Sequence, residues 1–150
     1  RFDHLNTLAY NQFNNIIERY KDDTAIHESQ WPTKYGWEEF RMKRFLCGEG
    51  GPDAEQFKEH IDVTNHAGGK RFLIMMVYLN DDFGGGETVF PIFEDAIKPV
   101  KGRLIIFPPM WTYLHRGNPP LKPGYAKYFL MTYLNYIDLE KVNTNLINKD

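Results

Sequence analysis

The sequence predicts a mainly β protein of the jelly-roll class, preceded by one helix. Apolar residues follow helical spacing in the first stretch, residues 3–21. After it come seven or eight short apolar runs separated by turns rich in glycine and proline, a pattern that closes as a sandwich or barrel. We favour a jelly roll because its inner face forms a pocket.

The N-terminal helix is predicted over residues 3–21, where apolar side chains recur at i, i+3 and i+4. Asp3 can serve as its N-cap. Asp22 and Asp23 would lie at the negative end of the helix dipole, so the helix should end there. We expect its apolar face to support the sheet.

The strands are predicted where apolar or alternating runs lie between turns. The clearest runs from Phe72 to Leu79, eight consecutive apolar or aromatic residues, which is long enough for a strand buried on both faces. The remaining predicted strands or extended segments are residues 37–47, 57–63, 87–90, 96–100, 103–107, 111–115 and 125–137. We expect turns at 49–53 and 80–86, and a polar tail from Asp138.

Composition limits the class of protein. The 150 residues suit a single domain, 1–150. The formal net charge is −2 without a dense basic tract, which argues against nucleic acid as a partner. No apolar run approaches the roughly 18–20 residues that span a bilayer, so no membrane partner is expected. Cys47 is the single cysteine and excludes an intrachain disulfide, which favours an intracellular, cytoplasmic location.

His60 and Asp62 are the first candidate site residues. Two residues apart on a strand, their side chains would lie on one face, because side chains alternate along a strand. A second histidine would complete the two-His-one-carboxylate set that holds non-haem Fe(II) and leaves positions on the metal open. His115, at the end of a predicted strand, is the preferred third ligand; His66, in a glycine-bearing loop, is the rival.

Lys127 and Tyr78 are the second pair of candidates. Lys127 lies inside an otherwise apolar strand, so it must reach solvent or be buried with an anionic partner. A ligand carboxylate could be that partner. Tyr78 closes the longest apolar run, and a buried tyrosine usually hydrogen-bonds through its hydroxyl, so the same carboxylate could accept from it.

With these residues in place, the sequence resembles the Fe(II)/2-oxoglutarate-dependent dioxygenases, and within them the prolyl 4-hydroxylase branch. The resemblance covers about residues 38–136. The segments that carry it are His60-Ile61-Asp62, Tyr78-Leu79-Asn80, the run Gly-Gly-Glu-Thr-Val-Phe-Pro at 85–91, the run Lys-Gly-Arg-Leu-Ile-Ile-Phe at 101–107, and His115 with Lys127.

The resemblance implies a double-stranded β-helix and an enzyme that hydroxylates an unactivated C–H bond with O2, giving succinate and CO2. It assigns His60, Asp62 and His115 to iron. It assigns Lys127, with Tyr78 assisting, to the distal carboxylate of the cosubstrate. The implied cofactors are Fe(II), 2-oxoglutarate and O2, with ascorbate as a further candidate. The implied partner is a peptide or protein substrate that contains proline.

Four further residues are candidates for contact with substrate. At the position of Arg71, relatives place an arginine that touches substrate, and at that of Tyr133 a tryptophan near it. Strict alternation turns Arg71 away from the face of Tyr78 unless the strand is bulged. An aromatic groove formed near Trp111 and Tyr133 would suit an extended chain that contains proline. Phe57 also falls at this pocket wall.

Because the sequence departs from the family pattern at two positions, it does not identify the substrate. Phe57 stands where relatives usually have tyrosine, and Cys47 replaces a tyrosine at the other wall. The alternatives are a non-catalytic jelly-roll binding module, a cupin-like metal enzyme without the cosubstrate lysine, and the same oxygenase chemistry on another substrate. That other substrate would be a lysyl residue, a nucleobase or a small molecule.

Overall fold

The computed structural model describes residues 3–47 and 55–137. The predicted turn at 49–53 and the tail from Asp138 lie, wholly or in large part, outside these residues. The chain divides into two compact units, residues 1–34 and residues 35–150. That the whole chain acts as one domain stays a prediction.

The first unit contains the predicted helix, α1, which runs over Asp3–Asp23. Phe13 and Ile17, which lie four residues apart on one face, are its buried residues. A short 3-10 turn follows at Glu28–Gln30, which the sequence pattern did not predict. The described part of the chain contains no helix long and apolar enough to cross a membrane.

The second unit is built from nine described strands in two antiparallel sheets. The strands are β1 Tyr35–Trp37, β2 Arg41–Leu46, β3 Phe57–His60, β4 Arg71–Tyr78, β5 Thr88–Phe90, β6 Asp95–Ile97, β7 Leu104–Phe107, β8 His115–Gly117 and β9 Ala126–Tyr136. The larger sheet has the order β1-β9-β4-β7, with β2 also paired to β9. The smaller sheet has the order β3-β8-β5-β6.

The core lies between the two sheets. Phe90 of the smaller sheet meets Phe107 of the larger one edge-on, with ring centroids 4.9 Å apart. The buried residues of the core cluster are Ile74, Met76, Tyr78, Phe90, Ile105, Phe107, Phe129, Met131 and Tyr133. Two facing antiparallel sheets with this crossed order form a double-stranded β-helix, which confirms the predicted fold class.

Two predicted strands differ from the structure near the candidate site. β3 ends at His60, so Asp62 lies in a bend after it, and alternation along one strand is the wrong reason for placing the two residues together. The predicted strand 111–115 is also wrong. Trp111 lies in a turn that closes by a hydrogen bond from Tyr113 N–H to the Met110 carbonyl, and His115 begins β8 instead of ending a strand.

A bulge occurs at the start of β4. Arg71 pairs with Asn135 of β9 and Leu73 pairs with Leu134, so Phe72 is one extra residue inserted between two successive pairs. Because one extra residue reverses the alternation of side chains, Arg71 joins the face of Ile74 and Met76. The sequence prediction named this bulge as the condition for Arg71 to reach the pocket.

Candidate metal centre and adjoining cavity

His60, Asp62 and His115 lie together at one end of the smaller sheet. β3 and β8 are paired with His60 directly opposite His115, and the ring centroids of the two histidines are 4.4 Å apart. The bend after β3 returns Asp62 to the same place. Nε2 of His60 is 3.8 Å from Oδ1 of Asp62, and Nε2 of His115 is 3.7 Å from Oδ2. One ligand atom from each residue lies within 4.8 Å of the other two.

Both histidines are oriented by backbone carbonyls. Nδ1 of His60 is 2.6 Å from the carbonyl oxygen of Lys58, and Nδ1 of His115 is 2.9 Å from that of Tyr113. A carbonyl oxygen only accepts, so each Nδ1 carries a proton and each Nε2 is turned towards Asp62, where it can bind a metal. Burial lowers the pKa of His115, which further favours the neutral ring that a metal requires.

Asp62 has one satisfied oxygen and one without a hydrogen-bond partner. The hydroxyl of Tyr133 donates to Oδ1 over 2.8 Å. Oδ2 is buried and accepts no hydrogen bond from any described residue. A buried carboxylate oxygen without a partner is costly, and a cation between the two Nε2 atoms would satisfy it. The donor set of two neutral imidazoles and one carboxylate therefore fits Fe(II).

Lys127 is a buried cation without an anionic partner among the described residues. Only 3 % of the residue is exposed, and its Nζ donates to the carbonyl oxygen of Gly86 over 2.7 Å. Burial lowers the pKa of Lys127 to about 8. Because this ammonium forms no salt bridge with any described residue, a ligand carboxylate is a suitable counter-ion.

A cavity of about 270 Å³ between the two sheets joins the metal-binding residues to Lys127. Its walls combine apolar side chains with a larger number of polar and charged ones, which suits a polar small molecule. The lining residues are Arg41, Lys43, Phe57, His60, Ile61, Asp62, Arg71, Ile74, Met76, Thr88, Phe107, His115, Gly117, Lys127, Phe129, Met131 and Tyr133. The structure thus brings the four best-supported candidates of the sequence into one cavity.

Tyr78 does not line this cavity, in contrast to the prediction of direct contact with the cosubstrate. Its hydroxyl shares a hydrogen bond of 2.6 Å with Oγ1 of Thr88, and Thr88 is the lining residue. Tyr78 is fully buried, and burial raises the pKa of its phenol. Its hydroxyl therefore acts through Thr88, a residue that the sequence analysis did not select.

The four candidates for substrate contact separate into two groups. Phe57, Arg71 and Tyr133 line the cavity as expected. Trp111 is 74 % exposed and does not line it, so Trp111 and Tyr133 do not share a wall of this cavity, and contact of Trp111 with substrate stays a prediction. The sequence pattern placed Trp111 on a strand, whereas the residue occupies the turn before β8.

Sequence reasoning missed three charged residues at this cavity. Glu38 accepts two hydrogen bonds from the guanidinium of Arg71, at 2.7 and 3.0 Å, and pairs with Arg41. Burial acts to raise the pKa of Glu38, but its hydrogen bonds and the charge of Arg71 outweigh this and lower it. Arg41 and Lys43 line the cavity, whereas Glu38 lies behind the lining residues Arg41 and Arg71 and holds them. Alternating charged residues are also typical of an edge strand exposed to solvent, so the sequence pattern alone does not place them at a cavity. Their position there follows only from pairing with β9.

His66, the rival ligand, is exposed and lies outside the metal-binding group of the described residues. The choice of His115 therefore agrees with the geometry. That the three residues bind iron remains a prediction.

Comparison with known proteins places the chain in a family. The model of the 2OG-Fe(II) oxygenase superfamily matches residues 45–135, which is more than half of the chain. The chain belongs to this superfamily. The match includes His60, Asp62, His115 and Lys127, and it confirms the family that the sequence motifs indicated.

Individual proteins that are similar to this chain carry the name prolyl hydroxylase. A stretch of 52 residues is 35 % identical to a "Putative prolyl 4-hydroxylase" of Acanthamoeba polyphaga mimivirus and spans 22 % of that protein's length. The structure of the viral collagen prolyl hydroxylase from Paramecium Bursaria Chlorella virus-1, in complex with 2OG, has a TM-score of 0.64 at 25 % identity. That match covers 85 % of this chain and 73 % of the viral one.

A prolyl hydroxylase from Trichoplax adhaerens, solved with a hypoxia inducible factor peptide fragment, shares the fold. It has a TM-score of 0.53 at 16 % identity, over 77 % of this chain and 49 % of that one.

Proposed function

We propose that this chain is an Fe(II)- and 2-oxoglutarate-dependent oxygenase that hydroxylates a prolyl residue in a peptide or protein. One observation carries the proposal. Two histidine Nε2 atoms, a buried carboxylate oxygen without a hydrogen-bond partner and a buried ammonium that forms no salt bridge with a described residue all face one cavity. A divalent metal and a dicarboxylate together would satisfy both unpaired groups.

The metal would be held by Nε2 of His60, Nε2 of His115 and Oδ2 of Asp62. Iron bound there would activate O2, which is the oxidant: O2 would take two electrons from 2-oxoglutarate, giving succinate and CO2, and two from the C–H bond, giving the alcohol. Because these three residues are the described groups able to bind the metal, positions remain for cosubstrate and O2. Whether ascorbate takes part stays a prediction.

Lys127 would bind the distal carboxylate of 2-oxoglutarate. Its ammonium already lies inside the cavity, held on the Gly86 carbonyl, so little side-chain freedom is lost when the ligand binds. Thr88, whose Oγ1 is fixed by the hydroxyl of Tyr78, offers a second hydrogen bond within the same cavity. Met76 and Phe129 line the surrounding wall and exclude water, which strengthens the ion pair.

The prolyl substrate is supported by the names of the relatives and by the cavity wall. Phe57 and Tyr133 offer aromatic surface to a proline ring. Arg71 is fixed by Glu38 next to Tyr133 and can donate to a peptide carbonyl. The same oxygenase chemistry on a lysyl residue or a small molecule is the alternative that the substrate test must separate.

Anaerobic titration tests the metal and cosubstrate. Addition of Fe(II) and 2-oxoglutarate to the wild-type chain should produce the visible charge-transfer absorption of an iron–2-oxoglutarate complex. His115→Ala should abolish the band, and His66→Ala, which alters an exposed histidine outside the group, should retain it. No band in the wild type would refute the proposal.

Succinate release tests the substrate. Proline-containing peptides should stimulate release in air above the background without peptide, and mass spectrometry should find one added oxygen on proline. Stimulation by lysyl peptides alone would retain the oxygenase and refute the prolyl substrate.

A further inference from the structure

We propose that Tyr133 is a positioning residue for the metal-binding carboxylate, held in place by Arg71 and Glu38. Its hydroxyl donates a hydrogen bond to Oδ1 of Asp62, so that only Oδ2 remains available to bind the metal. This inference rests on the proposed metal site and adds a function for a side chain that the sequence analysis assigned to substrate contact.

The hydrogen bond between Tyr133 and Asp62 makes the two carboxylate oxygens of Asp62 inequivalent. Oδ1 accepts from the Tyr133 hydroxyl over 2.8 Å, whereas Oδ2 accepts from no described residue and is 3.7 Å from Nε2 of His115. A carboxylate can bind a cation through one oxygen or both. Because a bond to the phenol competes with a bond to the metal, Oδ1 is withdrawn and the carboxylate contributes a single ligand.

The ring of Tyr133 is held by a guanidinium. Cζ of Arg71 lies 4.1 Å from the centroid of the Tyr133 ring, and two hydrogen bonds to Glu38 fix the orientation of that guanidinium. Arg41, which also pairs with Glu38, is 5.8 Å from the same ring. A planar cation stacked on an aromatic ring and fixed at its other edge restrains the ring strongly.

Glu38 is itself anchored to the strand that carries Tyr133. Its N–H donates to the Tyr133 carbonyl over 2.9 Å, and its carbonyl accepts from the hydroxyl of Thr132 over 2.7 Å. The path from Glu38 through Arg71 and Tyr133 to Asp62 is therefore continuous. The bulge in β4 contributes to it, because it turns Arg71 to the cavity face.

Tyr133→Phe tests this role, because it removes the hydroxyl and leaves the stacked ring. The matched control is Tyr128→Phe, the same change on the opposite face of β9. We would load each full-length variant with Co(II) and measure both its affinity, by calorimetry, and its visible absorption, which reports coordination number. Loss of an outer partner of a metal ligand typically weakens metal binding about 10–100-fold.

We expect Tyr133→Phe to lose about 10–100-fold in Co(II) affinity and to change the spectrum as Oδ1 is released to the metal. Tyr128→Phe should match the wild type. Arg71→Met, which frees the ring but keeps the hydroxyl, should give a smaller loss. If Tyr133→Phe bound Co(II) with the affinity and spectrum of the wild type, the role of Tyr133 would be refuted and the proposed metal site would stand. If the wild-type chain did not bind Co(II), the proposed metal site would be refuted as well.

Discussion

The ammonium of Lys127 donates to the carbonyl oxygen of Gly86 over 2.7 Å, and this contact joins the start of β9 to the segment that precedes β5. The segment can approach so closely because residue 86 is glycine at a φ of +74°. A Cβ there would lie 3.2 Å from Cδ of Lys127. The position of the Lys127 ammonium thus depends on a residue with no side chain.

Replacing Lys127 by Met should weaken 2-oxoglutarate binding. A hydrogen bond to a charged group contributes about 1.5–3 kcal/mol, which corresponds to a loss of roughly 10–100-fold in affinity. Calorimetric titration of 2-oxoglutarate into the Mn(II)-loaded chain measures this. Lys122→Met is the control, because Lys122 is exposed and lies over the ring of Tyr125. Equal affinities in the two variants would contradict the assignment of Lys127.

The affinity for 2-oxoglutarate should fall as the pH rises through about 8. Burial lowers the pKa of Lys127 to that value, so the ammonium that binds the carboxylate is lost above it. The association constant for 2-oxoglutarate should decline by at most tenfold per pH unit. Lys127→Arg keeps its charge at every accessible pH and should bind with little change between pH 7 and 9. A parallel decline in that variant would assign the pH dependence to another group.

The same pKa makes a prediction for the ligand-free chain. Since the pKa of Lys127 is about 8 when folded and near 10.5 when unfolded, the unfolded state binds more protons between these values. The free energy of unfolding should therefore increase from pH 8 to pH 10.5 by this contribution. The difference between the urea unfolding curves of wild type and Lys127→Met isolates it from other titrating groups. If the free energies of unfolding of the two proteins differed by the same amount at every pH from 8 to 10.5, the prediction would be wrong.

Gly86→Ala should destabilise the chain more than Gly84→Ala. Both residues have positive φ, which costs an alanine about 1–2 kcal/mol. At Gly86 the new Cβ would also lie 2.5 Å from the buried ring of Phe83, and such overpacking adds roughly 1–3 kcal/mol, whereas nothing lies within 4 Å at Gly84. Urea denaturation measures the difference. We also expect 2-oxoglutarate affinity to fall in Gly86→Ala alone.

Metal binding should raise the thermal stability of the wild type through Asp62. A ligand at a hundred times its Kd stabilises by about 2.7 kcal/mol, so excess Mn(II) should raise Tm by several degrees. Asp62→Asn removes the charge that faces the metal and should abolish the rise. His66→Ala should show the full rise, because His66 lies outside the group. An undiminished shift in Asp62→Asn would place the metal elsewhere.

Much of this arrangement was predictable from the sequence because the large strands carry clear periodic signals. β4 and β9 follow from apolar runs, and the alternation along β9 puts Lys127, Phe129, Met131 and Tyr133 on one face, as the cavity confirms. The two histidines and the aspartate come together in space, although the bend at Asp62 and not a strand is the reason.

The errors come from places where tertiary contacts override local pattern. Trp111 has the character of a strand residue but lies in a turn that its neighbours close by a backbone hydrogen bond. The hydroxyl of Tyr78 shares a hydrogen bond with Thr88, ten residues away, which the sequence analysis did not select, and its contact with the cosubstrate stays a prediction. Glu38 and Lys43 gain their positions only through pairing with β9, more than eighty residues along the chain. No local pattern encodes such a contact.

The bulge at Phe72 gives the chain a discrete way to change what it presents at the cavity. If Phe72 were instead paired with Asn135 in a regular ladder, simple alternation would return and residue 71 would turn to the outer face, while Ile74 to Tyr78 would keep their register with β9. The wall near residue 71 could then be rebuilt without disturbing the interior that contains His60, Asp62, His115 and Lys127. Gain or loss of this single bulge would therefore allow descendants of one fold to diverge in what they bind while the interior is preserved.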